Sequence, residues 1–149
     1  MKKILLASLI LLAQSLMASS ASAPTPKMQT QELSIKQLAE QNIKIVKLAA
    51  EEMNKTLPQT IDKYTTLIQI SAKGTTLEYL FEINTGAKSD ETVKAEDHAR
   101  MEKAITEGIC HSSKRFLDAQ INISYIYRSA ASKVELFRFD ISQKDCLSL

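Results

Sequence analysis

Cys110 and His111 stand side by side and are followed by Ser112 and Ser113. A thiolate nucleophile with an imidazole base uses these residue types, but it also needs a base aimed at the sulfur and a third group to orient that base. Adjacent side chains seldom aim at each other in that way. Cys146 offers Cys110 a simpler fate, because two cysteines in an exported chain tend to pair. The histidines are His98 and His111. Glu91, His98 and Glu102 could share one helix face, yet no H-E-x-x-H or paired-cysteine spacing accompanies them. That trio reads as a solvated charged face. With 3 glycines and no G-x-S-x-G, P-loop or G-x-G-x-x-G pattern, phosphate-cradling loops are poorly supported. Carboxylate neighbours such as Glu96 and Asp97 look the same as ordinary surface charge. The expectation is no catalytic set, no metal site and no cofactor.

A different chemistry is offered near the C-terminus. Tyr125, Tyr127, Arg128, Phe137 and Arg138 combine the residue types that dominate interface hot spots. These five form the candidate interface. Successive strand residues face opposite sides of a sheet, so part of this set must be core. Ile121, Ile123, Tyr125 and Tyr127 should point one way, with Asn122, Ser124, Ile126 and Arg128 pointing the other.

The same region carries a resemblance. Ile109-Cys110, Phe116-Leu-Asp-Ala119, Tyr125-Ile-Tyr-Arg128, Phe137-Arg-Phe-Asp140 and Asp145-Cys146 together resemble small exported bacterial proteins of uncharacterised function. The resemblance covers the last third of the chain. It implies a bacterial envelope setting and assigns no functional residue.

The N-terminus points to the same compartment. Lys2 and Lys3 precede an apolar run from Ile4 to Leu12, and small residues follow to Ala23. This is the layout of a secretory signal, with an apolar stretch shorter than the ~20 residues a membrane span needs. Pro24 would disfavour cleavage after Ala23, so cleavage is expected after Ala21, with Ala23 as the second choice. No cysteine lies near this region for a lipid anchor, and no stable membrane anchor is expected. The chain carries 19 Lys+Arg and 17 Asp+Glu. Loss of Lys2 and Lys3 brings that balance to zero, so the positive charge belongs to export and does not argue for nucleic acid.

The elements that position these residues follow from periodicity. Residues 22–33 read as a flexible leader and 34–149 as a single domain. Ser34 should cap a long helix with Ile35, Leu38, Ala39, Ile43, Val46, Ala50, Met53 and Leu57 on one face, ending before Pro58. Strands are predicted over Tyr64–Ser71 and Thr75–Ile83, turning at Gly74, with Leu80 breaking the alternation. A second helix is predicted over Glu91–Ile109, with a thin apolar face of Val93, Ala95, Ala99, Met101, Ala104, Ile105 and Ile109. A helical turn over Lys114–Ala119 would bring Phe116 and Leu117 inward. Two runs rich in β-branched and aromatic residues, Ile121–Arg128 and Lys133–Ile141, form a final hairpin stapled by a Cys110–Cys146 disulfide.

The predicted class is therefore α+β, αββαββ: two antiparallel hairpins packed with a long N-terminal helix and a second helix, with one disulfide. The function read from this is a periplasmic or extracellular, non-enzymatic domain that binds another envelope or extracellular protein. It would serve as an accessory or inhibitor of an envelope machine. A small-molecule or lipid carrier with a cavity between helix one and the sheet is the alternative. A small hydrolase without a readable motif is the third reading.

Overall fold

The computed structural model describes residues 34–147. The expected signal segment and leader lie outside the described residues. The domain is α+β, with a five-stranded sheet in the order β1-β2-β3-β4-β5. The strands are β1 (Gln59–Thr60), β2 (Thr65–Lys73), β3 (Thr76–Ile83), β4 (Asn122–Ser129) and β5 (Glu135–Ile141). The helices are α1 (Ile35–Asn54), α2 (Asp90–Ser112), α3 (Lys114–Asp118) and the short α4 (Gln143–Cys146).

Helix α1 begins with a reciprocal cap. Ser34 Oγ accepts from the Gln37 N–H at 3.3 Å, and Gln37 Oε1 accepts from the Ser34 N–H at 3.0 Å. Two orphan donors of the first turn are satisfied at once. The buried stripe is Asn42, Val46 and Ala50, with Met53 partly covered. Ile35 and Ile43, expected on this face, are 86% and 45% exposed. Ile43 falls one position off the stripe, while Asn42 takes the inward position and donates to the Ala119 carbonyl at 2.7 Å. A buried polar group is tolerated where it is bonded.

Helix α2 starts at a Ser89 cap and buries Val93 and Ile109, with Met101 and Ile105 packed against the core. Ala95, Ala99 and Ala104, expected inward, are exposed. Ala95 and Ala99 lie two positions from Val93 and Met101, and Ala104 one position from Ile105, which turns each off the stripe. Leu117 of α3 is 2% exposed, and Phe116 packs beside it.

Both expected hairpins are present. The join between them is parallel: β3 pairs with β4 from Thr76↔Asn122 to Ile83↔Ser129. A parallel neighbour requires a crossover, which α2 and α3 supply. The register puts Leu77, Tyr79 and Phe81 of β3 beside Ile123, Tyr125 and Tyr127 of β4, and these beside Ile141, Phe139 and Phe137 of β5. This inner face joins Val46, Ala50, Val93, Ile109 and Leu117 in one hydrophobic core. On β2 a bulge between Leu67 and Gln69 resets the alternation, so that both Leu67 and Ile70 reach that core.

Candidate functional site

Cys110, at the end of α2, is bonded to Cys146 at the end of α4, with Cα atoms 5.4 Å apart. No cysteine is free among the described residues. The Cys110 sulfur is thus unavailable as a nucleophile, and His111 beside it is exposed. His98 Nδ1 lies 3.7 Å from Glu102 Oε2, and its ring sits 5.4 Å from that of Phe139. Among the described residues no three His, Cys, Asp or Glu side chains gather where they could hold a metal ion.

The register divides the candidate interface residues between two faces. Tyr125, Tyr127 and Phe137 are on the inner face, Arg128 and Arg138 on the outer one. Phe137 is 2% exposed and Tyr127 8%. The aromatic rings interlock: Tyr125 lies 5.1 Å from Tyr79 and 4.9 Å from Phe81, and Phe81 stacks on Tyr127 at 4.7 Å. Such contacts stabilise a core beyond the area they bury. Burial pushes the Tyr79 phenol up to about 12, with a smaller contribution from Tyr125, and it also raises Tyr125 and Tyr127. These hydroxyls stay protonated at any physiological pH and carry no anionic chemistry.

The outer face is a charge lattice. Arg128 donates to Glu82 Oε1 through Nε at 3.0 Å and Nη2 at 2.7 Å, and Lys133 Nζ reaches the same oxygen at 2.7 Å. The bond from Lys133 chiefly holds the Glu82 carboxyl below its usual range; burial opposes it, and the bond from Arg128 adds to the lowering. Arg138 contacts Glu135 and Glu78 at 3.3 Å and the Ser124 hydroxyl at 3.4 Å. Its bond with Glu135 chiefly strengthens its hold on the proton. Ser124 in turn donates to Asp140 at 2.5 Å. Glu78, Glu82, Ser124, Lys133 and Asp140 are therefore part of this surface, though composition alone did not single them out. Period-two alternation sets Glu78 and Glu82 on one face of β3. Only the parallel β3–β4 pairing brings them beside the arginines.

Near the bases of β2 and β3 a cleft of about 440 Å³ opens against α2. Its apolar lining comes from Tyr64, Ile83, Val93, Met101 and Phe137. Its rim charges are committed locally: Arg100 Nη2 to Asp97 at 2.5 Å and Lys88 Nζ to Glu96 at 2.5 Å. Asp62 accepts from the Tyr64 and Thr65 N–H groups at 2.7 and 2.8 Å, which lowers its carboxyl. This cleft can take an apolar group but presents no reactive one. Between α1 and the sheet, where a carrier would need its cavity, Val46, Ala50, Ile70 and Leu77 pack in the core, and an open cleft of about 360 Å³ lies at the edge of this face between α1 and β2.

Solved structures share this arrangement. A Pseudomonas aeruginosa protein described as a candidate secreted protein superposes with a TM-score of 0.65 at 12% identity, covering 77% of this chain and 99% of its own. A type 2 secretion system pilotin from Vibrio vulnificus gives a TM-score of 0.59 at 15% identity, over 74% of this chain and 96% of the pilotin. A type II secretion system pilotin from Vibrio cholerae gives 0.54 at 15%, over 74% and 97%. At these identities the likeness is one of fold. No curated protein matches the chain. The chain belongs to the family described as Domain of unknown function (DUF8479), which matches residues 40–137.

Proposed function

We propose that the chain is an exported, non-enzymatic protein-binding domain, acting as an accessory to a machine of the bacterial envelope. The observation that carries this reading is the one-sided sheet. Among the described residues all of the long helices pack on the inner face. The outer face holds Arg128 and Arg138 in fixed positions around the half-buried Leu80 and the buried Ile126. Pre-ordered arginines beside an apolar centre lose little freedom on binding and suit a protein partner. The disulfide supports export, since such bonds persist in oxidising compartments. The shared fold with two pilotins of type II secretion supports an envelope-machine setting.

The test is capture from envelope extract, identified by mass spectrometry, with wild type, Arg128→Ala and Arg138→Ala compared at equal folded concentration. A specific envelope protein should be retained by wild type and weakened at least about 10-fold by Arg128→Ala, the scale of an interface hot spot. Equal retention by both variants, with unchanged melting, removes this face as the interface.

A further inference from the structure

The two edges of the sheet are finished differently. On the β2 side, β1 pairs with Thr66 and Leu67. Beyond β1 the Asn54 side chain takes over: its Oδ1 accepts from the Ile70 N–H at 3.0 Å, and its Nδ2 donates to the Ile70 carbonyl. That edge is closed to further pairing over these residues. On the other side, β5 has no strand partner beyond it among the described residues. An open edge is a template for another strand unless something blunts it. Between Phe137 and Ile141 there is no proline, no lysine and no bulge.

The ladder shows which backbone groups face outward. The Ser129 N–H and carbonyl bond to Val134 and Lys133 on the β5 side, while the Asn122 and Ala130 N–H groups bond to Thr75 and Ile83 on the β3 side. Alternation then directs Tyr127, Tyr125 and Ile123 toward Phe137, Phe139 and Ile141 of β5. The N–H and carbonyl groups left facing away from the sheet are those of Arg138 and Asp140. Beyond them the edge stops, because the Ser142 N–H donates to Asp145 at 2.8 Å.

We propose that β5 is a homodimer edge: a second copy of the chain pairs antiparallel to it about a two-fold axis at Phe139. In that register Arg138 stands opposite Asp140 of the other copy, and Asp140 opposite its Arg138. The two residues with outward backbone groups thus pair with each other, and their side chains, on the outer face, are of opposite charge. Both are accessible for this, with side chains 36% and 68% exposed. On the inner face Phe139 falls opposite its own copy and Phe137 opposite Ile141, each side chain remaining in its own core. Registers one residue away set inner against outer side chains, and the register centred on Arg138 opposes two arginines. The flank of α2 that shoulders this edge carries His98, Ala99, Glu102, Lys103 and Thr106, with the His98 ring 5.4 Å from that of Phe139. Glu102 and Lys103 are of opposite sign, so a two-fold copy meets no field of one sign there.

Sedimentation equilibrium on the oxidised protein tests this. Wild type should approach twice the single-chain mass as concentration rises. Asp140→Lys, at an exposed site, sets a second cation against Arg138 twice per dimer and should weaken association on the order of 10-fold or more. Arg138→Glu alone should be weakened likewise, by opposing a second carboxylate to Asp140. Mixing the two variants restores both opposite-charge pairs, and the mixture should associate like wild type. A wild type that stays single-chain at every concentration overturns the proposal. So does an Asp140→Lys protein that associates undiminished, or a mixture of folded variants that gains nothing.

Discussion

At Glu82 two cations of the distant final hairpin meet on one oxygen. Arg128 comes from the neighbouring strand, 46 positions away, and Lys133 from the final hairpin turn, 51 positions away. The bond from Lys133 chiefly lowers the carboxyl, burial opposes it, and the bond from Arg128 adds to the lowering. A carboxyl with a lowered folded pKa stabilises the fold above its unfolded value. That contribution disappears as pH falls through the folded value. Glu82→Gln should therefore unfold at lower urea than wild type at neutral pH, by about 0.5–1 kcal/mol as for a pair still screened by solvent. The gap should close in acid, below the ordinary glutamate range. Asp118 and Asp145 are lowered too, but they titrate alike in both proteins and cancel. A gap of equal size at neutral and acid pH would contradict this account. Period-two alternation sets Glu82 on the face of its strand opposite Phe81, and Arg128 opposite Tyr127, and reaches no further. Their pairing depends on which strands are neighbours, and no local residue pattern encodes that.

Helix α1 was legible from its cap and apolar spacing, α2 from a thinner apolar spacing, the first hairpin from alternation around its turn and the second from its β-branched and aromatic runs. What escaped is the set of positions where a polar residue replaces an expected apolar or backbone partner. Asn42 occupies the α1 stripe because the Ala119 carbonyl needs a donor there. The bulge on β2 adds a residue that period-two counting cannot anticipate. The end of α3 is another such place. Gln120 has φ +64°, its N–H bonds to the Leu117 carbonyl, and the Ile121 N–H returns to the Phe116 carbonyl at 2.9 Å. This is a Schellman ending, whose left-handed position usually belongs to glycine. The glutamine keeps its Cβ in a conformation where glycine has no steric cost. Gln120→Gly should stabilise the domain by about 0.5–1 kcal/mol, read as a raised urea midpoint with an unchanged slope. A lowered midpoint would mean that the glutamine side chain contributes more than its backbone conformation costs.

Over the whole domain, the parallel β3–β4 join makes the last third of the chain structurally central. β4 lies between β3 and β5, so the C-terminal hairpin supplies an interior strand as well as the open edge. Its final turn is tied to the start of α2 where Ser132 Oγ donates to Asp90 at 2.5 Å, and its far end is tied to the end of α2 by Cys110–Cys146. The two ties hold the hairpin at both ends of α2, which keeps Phe137 and Phe139 under that helix. The disulfide closes a loop with a sequence separation of 36, which by chain entropy is worth ~4 kcal/mol, less any native strain. That is a large share of the ~5–15 kcal/mol typical of such domains. Cys110→Ser and Cys146→Ser should each lose ~2–5 kcal/mol. Because they remove the same bond, the double variant should lose no more than either single one. Under non-reducing conditions the wild-type mass should be two hydrogens below that of the dithiol. Two reactive thiols in the oxidised protein would defeat the staple. So would a Cys110→Ser protein that melts like wild type while Cys146→Ser does not, for then the two sulfurs would act separately.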